Sequence, residues 1–286
     1  MEQIEKEIEQ PENIIWAVGQ KVKELKNQNL NEKDFDLKYQ EIKDKFLKEN
    51  PKERLGLELI FKIKDYVSAQ DKIKSFGKNF LSYKELKEAK EEVIGLASWN
   101  QEATKFLIKH KYDDESAKLF WDTYKKVFNL FSEDEKSRDG VIKGIVGQAS
   151  VYHVLDHSGF RPQVSTPQED VFEKIDLKIS SGKKDILIQV KQHHDASQPL
   201  VIGTKEIKYP SVSIKETNKN IHFSSYDIQE MTALQENCEE KSRRERKNIE
   251  AFYIVIPPKQ CNKNTGRPSP EFLKEIKPLI RQSLNK

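Results

Sequence analysis

The stretch KIDLKISSGKKDILIQVKQ, residues 174–192, decides how the C-terminal half of this chain folds. In its first arm Ile175, Leu177 and Ile179 point one way and Lys174, Asp176 and Lys178 the other. In its second arm Ile186, Ile188 and Val190 oppose Leu187, Gln189 and Lys191. A period of two with apolar residues on one face marks a half-buried strand. Gly182 and Lys183 suit a two-residue hairpin loop with glycine at its first central position. That loop sets Ser181 against Lys184 and Ile179 against Ile186. Continued, the count sets Asp176 against Gln189, on the face away from the apolar core. Side chains so opposed lie about 4.5–5.5 Å apart at Cβ, and Lys191 follows two residues on along the same face. A slip of one residue would put the apolar faces out of step.

A carboxylate, an amide oxygen and an ammonium group therefore converge on one patch. Mg2+ prefers oxygen ligands and keeps several waters. It polarises a phosphoryl oxygen and lowers the pKa of water, while a nearby lysine stabilises the charge added in the transition state. This is the minimum equipment for phosphodiester hydrolysis. The plainer alternative is a polar sheet face with one cross-strand pairing.

Upstream, residues 144–160 (GIVGQASVYHVLDHSGF) read as a helix ended by Gly159. Val141, Ile145, Gln148, Tyr152 and Leu155 form one stripe at three-and-four spacing, so Gln148 points into an otherwise apolar seam. A buried amide needs partners, which fits either a site at the sheet or a structural hydrogen bond. Further strands are predicted at 161–166, 172–181 and 184–192, a helix at 226–248, a strand from 251 (AFYIVIPP) and a last helix after Pro270. The order helix, strand, strand, strand, helix, strand describes a compact α/β domain.

GIVGQASVYHVLDHSGF, KIDLKI and ILIQVK together resemble the signature of the PD-(D/E)XK nuclease superfamily. They are most similar to archaeal Holliday-junction resolvases and methyl-directed restriction endonucleases. The resemblance covers residues 140–192 closely and extends by element order to about residue 258; the N-terminal helices lie outside it. It implies a restriction-endonuclease-like mixed sheet flanked by helices, with Mg2+ as cofactor and Mn2+ able to replace it. Carried over, Asp176 is the metal-binding aspartate, Gln189 fills the acidic-or-glutamine position and Lys191 is the catalytic lysine. The backbone carbonyl of Val190 is a further metal ligand. Gln148 stands where the family's helix usually carries glutamate, which leaves Asp176 the one sure negative charge. Asp170 shares parity with Asp176, but six residues of strand span roughly 20 Å, so sharing an ion requires a bend before Phe172. Asp170, Glu169 and Glu173 are second-rank candidates.

From the start to about residue 131 the pattern is helical, rich in lysine, glutamate and leucine and poor in glycine. Leu55, Leu59, Ile60, Ile63 and Val67 make one apolar stripe. Pro51 suits a first helical turn, Ser82 with Glu85 a capping box, and Asp113 or Asp114 the start of a helix carrying Ala117, Phe120, Trp121 and Tyr124. The texture changes near residues 132–140, which suggests an all-helical domain over 1–135 and a nuclease-like domain over 136–286. A net charge of +3, from 50 basic and 47 acidic residues, neither demands nor excludes a polyanionic partner. Cys238 and Cys261 give no disulfide framework or zinc pattern. The charged start and the lack of long apolar runs point to a cytoplasmic protein without a membrane partner.

Weaker signals remain. His193 and His194 follow the lysine and point to opposite faces of a strand. Arg243, Arg244, Arg246 and Lys247 form a basic run near a helix end, suited to phosphate or to the helix dipole. Tyr209, Phe223 and Tyr226 suit base stacking or a core equally. The expected function is a Mg2+-dependent endonuclease acting on DNA in preference to RNA, as in restriction or defence, and compatible with a homodimer. The alternative is a nuclease-fold protein that binds nucleic acid or a protein partner without cleaving. A third reading makes the helical half the working part of an assembly protein.

Overall fold

The computed structural model describes residues 14–76, 83–180, 184–192, 196, 199–203, 223 and 225–284. Helices α1 (Ile14–Lys26), α2 (Glu32–Glu49), α3 (Arg54–Phe61), α4 (Ile63–Phe76), α5 (Tyr83–Lys109) and α6 (Asp114–Phe131) fill the N-terminal part. Local chemistry starts them. The Asn31 side chain accepts from the Asp34 N–H at 2.9 Å, and Asp113 accepts from the Ser116 N–H at 3.0 Å, each satisfying a donor the helix leaves open. Pro51 opens a short 3-10 turn (Pro51–Glu53) leading into α3. The stripe from Leu55 to Val67 crosses a break at Lys62, between α3 and α4. The Ser82–Glu85 capping box lies outside the described residues. Trp99, Tyr124, Phe106 and Phe120 are buried at the centre, and the Trp99 indole N–H donates to the Leu59 carbonyl at 2.9 Å.

The next helix, α7 (Glu135–His157), belongs to both halves of the chain. The described residues divide into two compact units, one ending at Ile142 and the other beginning at Lys143. The change of sequence texture at 135/136 coincides with the start of this helix, and the division of contacts falls inside it. Its end is a glycine cap: Gly159 has φ 89°, its N–H donates to the Asp156 carbonyl, and the Phe160 N–H donates to Leu155.

The second unit is mixed α/β. Strands β1 (Pro162–Val164), β2 (Leu177–Ser180), β3 (Lys184–Gln192), β4 (Leu200–Gly203) and β5 (Asn248–Ile256) form one sheet in the order β1-β2-β3-β5-β4, with β3 and β5 parallel and the other pairs antiparallel. Helix α8 (Ser225–Glu245) precedes β5, and α9 (Pro270–Leu284) ends the described chain. The β2–β3 ladder pairs Ile179 with Ile186 and Leu177 with Ile188, the register read from the sequence. The expected turn at Gly182-Lys183 lies outside the described residues.

Two expectations need correction, and one strand carried no sequence signal. The face of β3 carrying Leu187, Gln189 and Lys191 is not turned away from a core, because a second core covers it. Leu177, Ile179, Ile188 and Val190 pack with Val151, Leu155, Phe272 and Ile276 of α7 and α9. Leu187 and Ala251 pack on the opposite side with Leu234 and Cys238 of α8. A parallel pair needs a crossover, and a helix in that crossover covers the sheet. Next, the strand expected from 172 begins only at Leu177. Residues Glu169–Glu173 form a π-helical turn, and Lys174 follows it with φ 59°. Ile175 therefore loses the strand's alternation and packs with Leu187, not with Leu177. β4 is the strand without a sequence signal: Leu200, Val201 and Ile202 are too short an apolar run to declare it. No helix among the described residues is long and apolar enough to cross a membrane.

Candidate active site

Asp176 sits one residue before β2, where the regular ladder stops. Its N–H donates to the Ile188 carbonyl at 2.8 Å. Its carboxylate then takes the place of a backbone acceptor: Oδ2 receives the Val190 N–H at 2.6 Å. Oδ1 receives Nε2 of Gln148 at 2.7 Å. The inward-pointing glutamine of α7 thus meets the aspartate of the hairpin. The neighbouring Gly147 faces Ile256 and Val190 of the sheet, where a Cβ would make only ordinary van der Waals contacts at 3.6 and 3.8 Å. Asp176 is 7% exposed. Burial first, and then the negative charge of Asp170, push its carboxyl up to about 8, against the Val190 N–H and Lys191; Glu230 adds to the rise.

On β3, Gln189 is 5% exposed and its buried Oε1 has no hydrogen-bond partner among the described residues. Lys191 shares its face and points to α8, where its Nζ lies 2.6 Å from Oε2 of Glu230. This contact is an ion pair without the alignment of a hydrogen bond. One turn earlier on α8, Asp227 accepts from the Tyr253 hydroxyl at 3.1 Å, and Tyr253 is the β5 residue paired with Gln189. Burial raises that hydroxyl's pKa far above its ordinary value. Asp227 and Glu230 were missed in the sequence. The signal was there: Asp227, Glu230, Met231, Leu234 and Cys238 form a helical stripe, all buried, with two acids in it, the same pattern that singled out Gln148.

The second-rank acids separate. The π-helical turn supplies the bend that Asp170 needs, and its charge is felt at Asp176. Glu169 and Glu173 are committed elsewhere. Glu169 pairs with Lys178 at 2.9 Å and Lys241 at 3.4 Å, and Glu173 with Lys241 at 3.1 Å. Burial works to raise the Glu169 carboxyl, but the Thr166 N–H and the two lysines outweigh it and bring it down to about 2. Arg243 and Arg244 are exposed in the last turn of α8, and Arg246 is exposed just beyond its end. From Glu230 to Arg243 the helix rises about 20 Å, so this basic run is not part of the Asp176 cluster. Phe223 packs edge-on against Tyr253, with ring centroids 6.2 Å apart. His193, His194 and Tyr209, and the Tyr226 side chain, lie outside the described residues.

Among the described residues no group of three histidine, cysteine, aspartate or glutamate side chains comes together. The donors here are oxygens of another kind: one carboxylate, one orphaned amide oxygen and the backbone of Val190. The buried Gln189 Oε1 has a free lone pair, and burial holds the Asp176 carboxyl well above its usual range. A small oxygen-preferring divalent cation fits both. Comparison of the chain with protein-family models, curated proteins and solved structures finds no match.

Proposed function

We propose that the second unit is a restriction-endonuclease-like domain that hydrolyses phosphodiester bonds in DNA with Mg2+, or with Mn2+ in its place. The observation that carries this reading is the Asp176 carboxylate, clamped by Gln148 and the Val190 N–H, on the strand pair that also carries the unpartnered Gln189 oxygen. When bound, the cation supplies polarisation of a phosphoryl oxygen and a lowered pKa for water. Asp176 and Gln189 would hold it, with the Val190 carbonyl as a further ligand. Lys191 neutralises charge that builds on the phosphate as the water oxygen bonds to phosphorus and the ester P–O bond breaks; the departing oxygen leaves with a proton. The buried setting of Asp176 and Gln189 strengthens each of these interactions. The helical unit positions substrate, a partner or a second subunit.

The test uses full-length protein with duplex, branched and single-stranded DNA, and with RNA, in Mg2+, Mn2+ or chelator. Asp176→Ala and Lys191→Ala are each expected to cut at least about 100-fold more slowly. Equal degradation by wild type and both variants identifies a contaminant and ends this reading.

One observation favours a second reading, a nuclease-like fold that binds nucleic acid without cutting it. The Gln148 amide occupies the place of an acid and is spent on Asp176. That reading expects DNA affinity indifferent to chelator and no gain of cutting in Gln148→Glu.

A further inference from the structure

Helix α8 lays Asp227, Glu230, Met231 and Leu234 along its inner face, all of them buried. The bond from Tyr253 to Asp227 and the packing of Met231 beside Tyr253 fix this part of the helix. Glu230 is thereby delivered to Lys191, 2.6 Å away, on the strand face that also carries the orphaned Oε1 of Gln189. It lies within electrostatic reach of Asp176. Stability does not explain an acid here. Glu230 is buried, and taking its charge out of water costs about what pairing with the partly exposed Lys191 returns, so an apolar side chain serves packing better, as Met231 and Leu234 do.

We infer that Glu230 is the second carboxylate of the cation site, supplying from α8 the negative charge that Gln148 and Gln189 do not, with Lys191 holding its place until a divalent ion binds. The inference rests on the cation-site reading of Asp176. It adds a ligand from outside the hairpin, contributed by a helix 39 residues further along the chain than Lys191.

The experiment is a Mn2+ titration of the full-length protein without nucleic acid, following free Mn2+ by electron paramagnetic resonance. Glu230→Gln is expected to weaken Mn2+ binding about tenfold or more, and so is Asp176→Asn. Lys191→Met removes the competing ammonium and is expected to tighten it. If Glu230→Gln binds like wild type while Asp176→Asn does not, the role of Glu230 is overturned and the Asp176 site stands. If wild type binds no Mn2+, both fall. Should Glu230→Gln fail to fold, Lys191→Met decides: unchanged affinity means the pair is only structural and overturns the inference.

Discussion

Burial and the charge of Asp170 keep the Asp176 carboxyl protonated up to about 8, although the Val190 N–H and Lys191 pull the other way. A carboxyl raised above its ordinary 3.8 contributes stability that is complete below that value and is lost as pH rises through about 8. In chelator, wild type is therefore expected to lose stability between about pH 5 and about pH 9 relative to Asp176→Asn, whose amide mimics the protonated acid; urea unfolding at the two pH values measures it. In the proposed function a divalent cation displaces that proton, and on that reading Mg2+ should raise the melting temperature more at about pH 9 than at about pH 6. The same carboxylate closes the end of the β2–β3 ladder. Asp176→Leu, which leaves the Val190 N–H and the Gln148 amide without an acceptor, should cost more stability than Asp176→Asn, by about 1–3 kcal/mol.

Two elements set the surroundings of that residue. Helix α7 is held by the loop after β5: Gly266 adopts φ 72°, and a Cβ on it would stand 2.6 Å from the Val146 carbonyl. Its own carbonyl accepts from the Ser150 hydroxyl. Gly266→Ala should destabilise the protein by about 1–3 kcal/mol in chemical denaturation. Gly147→Ala meets only ordinary van der Waals contacts and should fold normally. The second element is the π-helical turn, which carries Asp170 to Asp176 and is tied to β2 and α8 through Glu169, Lys178 and Lys241. With its carboxyl lowered to about 2, Glu169 contributes stability above its ordinary 4.5 that is lost as pH falls toward 2. Glu169→Gln should flatten that acid limb, as seen by unfolding between about pH 5 and about pH 3.

At the scale of the molecule, each unit has its own core, aromatic in the first and a two-faced sheet in the second. A chain of residues 1–142 is expected to fold by itself, with near-ultraviolet circular dichroism from the buried Trp99 and Trp121; a featureless spectrum would count against it. The hairpin register, the cap at Gly159 and the inward stripe of Gln148 were legible because each depends on neighbours a few residues away, through alternation, glycine conformation and helical spacing. The turn at residues 169–173 was not, since Val171 and Phe172 among charged neighbours lead straight into the alternation of Ile175, Leu177 and Ile179 and read as its extension, until ion pairs to Lys178 and Lys241, the latter some seventy residues off, hold them in another shape. The buried second face of β3 and the meeting of Glu230 with Lys191 were equally hidden. They follow from where the crossover helix lands on the sheet, and packing across it, not any spacing along the chain, brings that acid to the lysine.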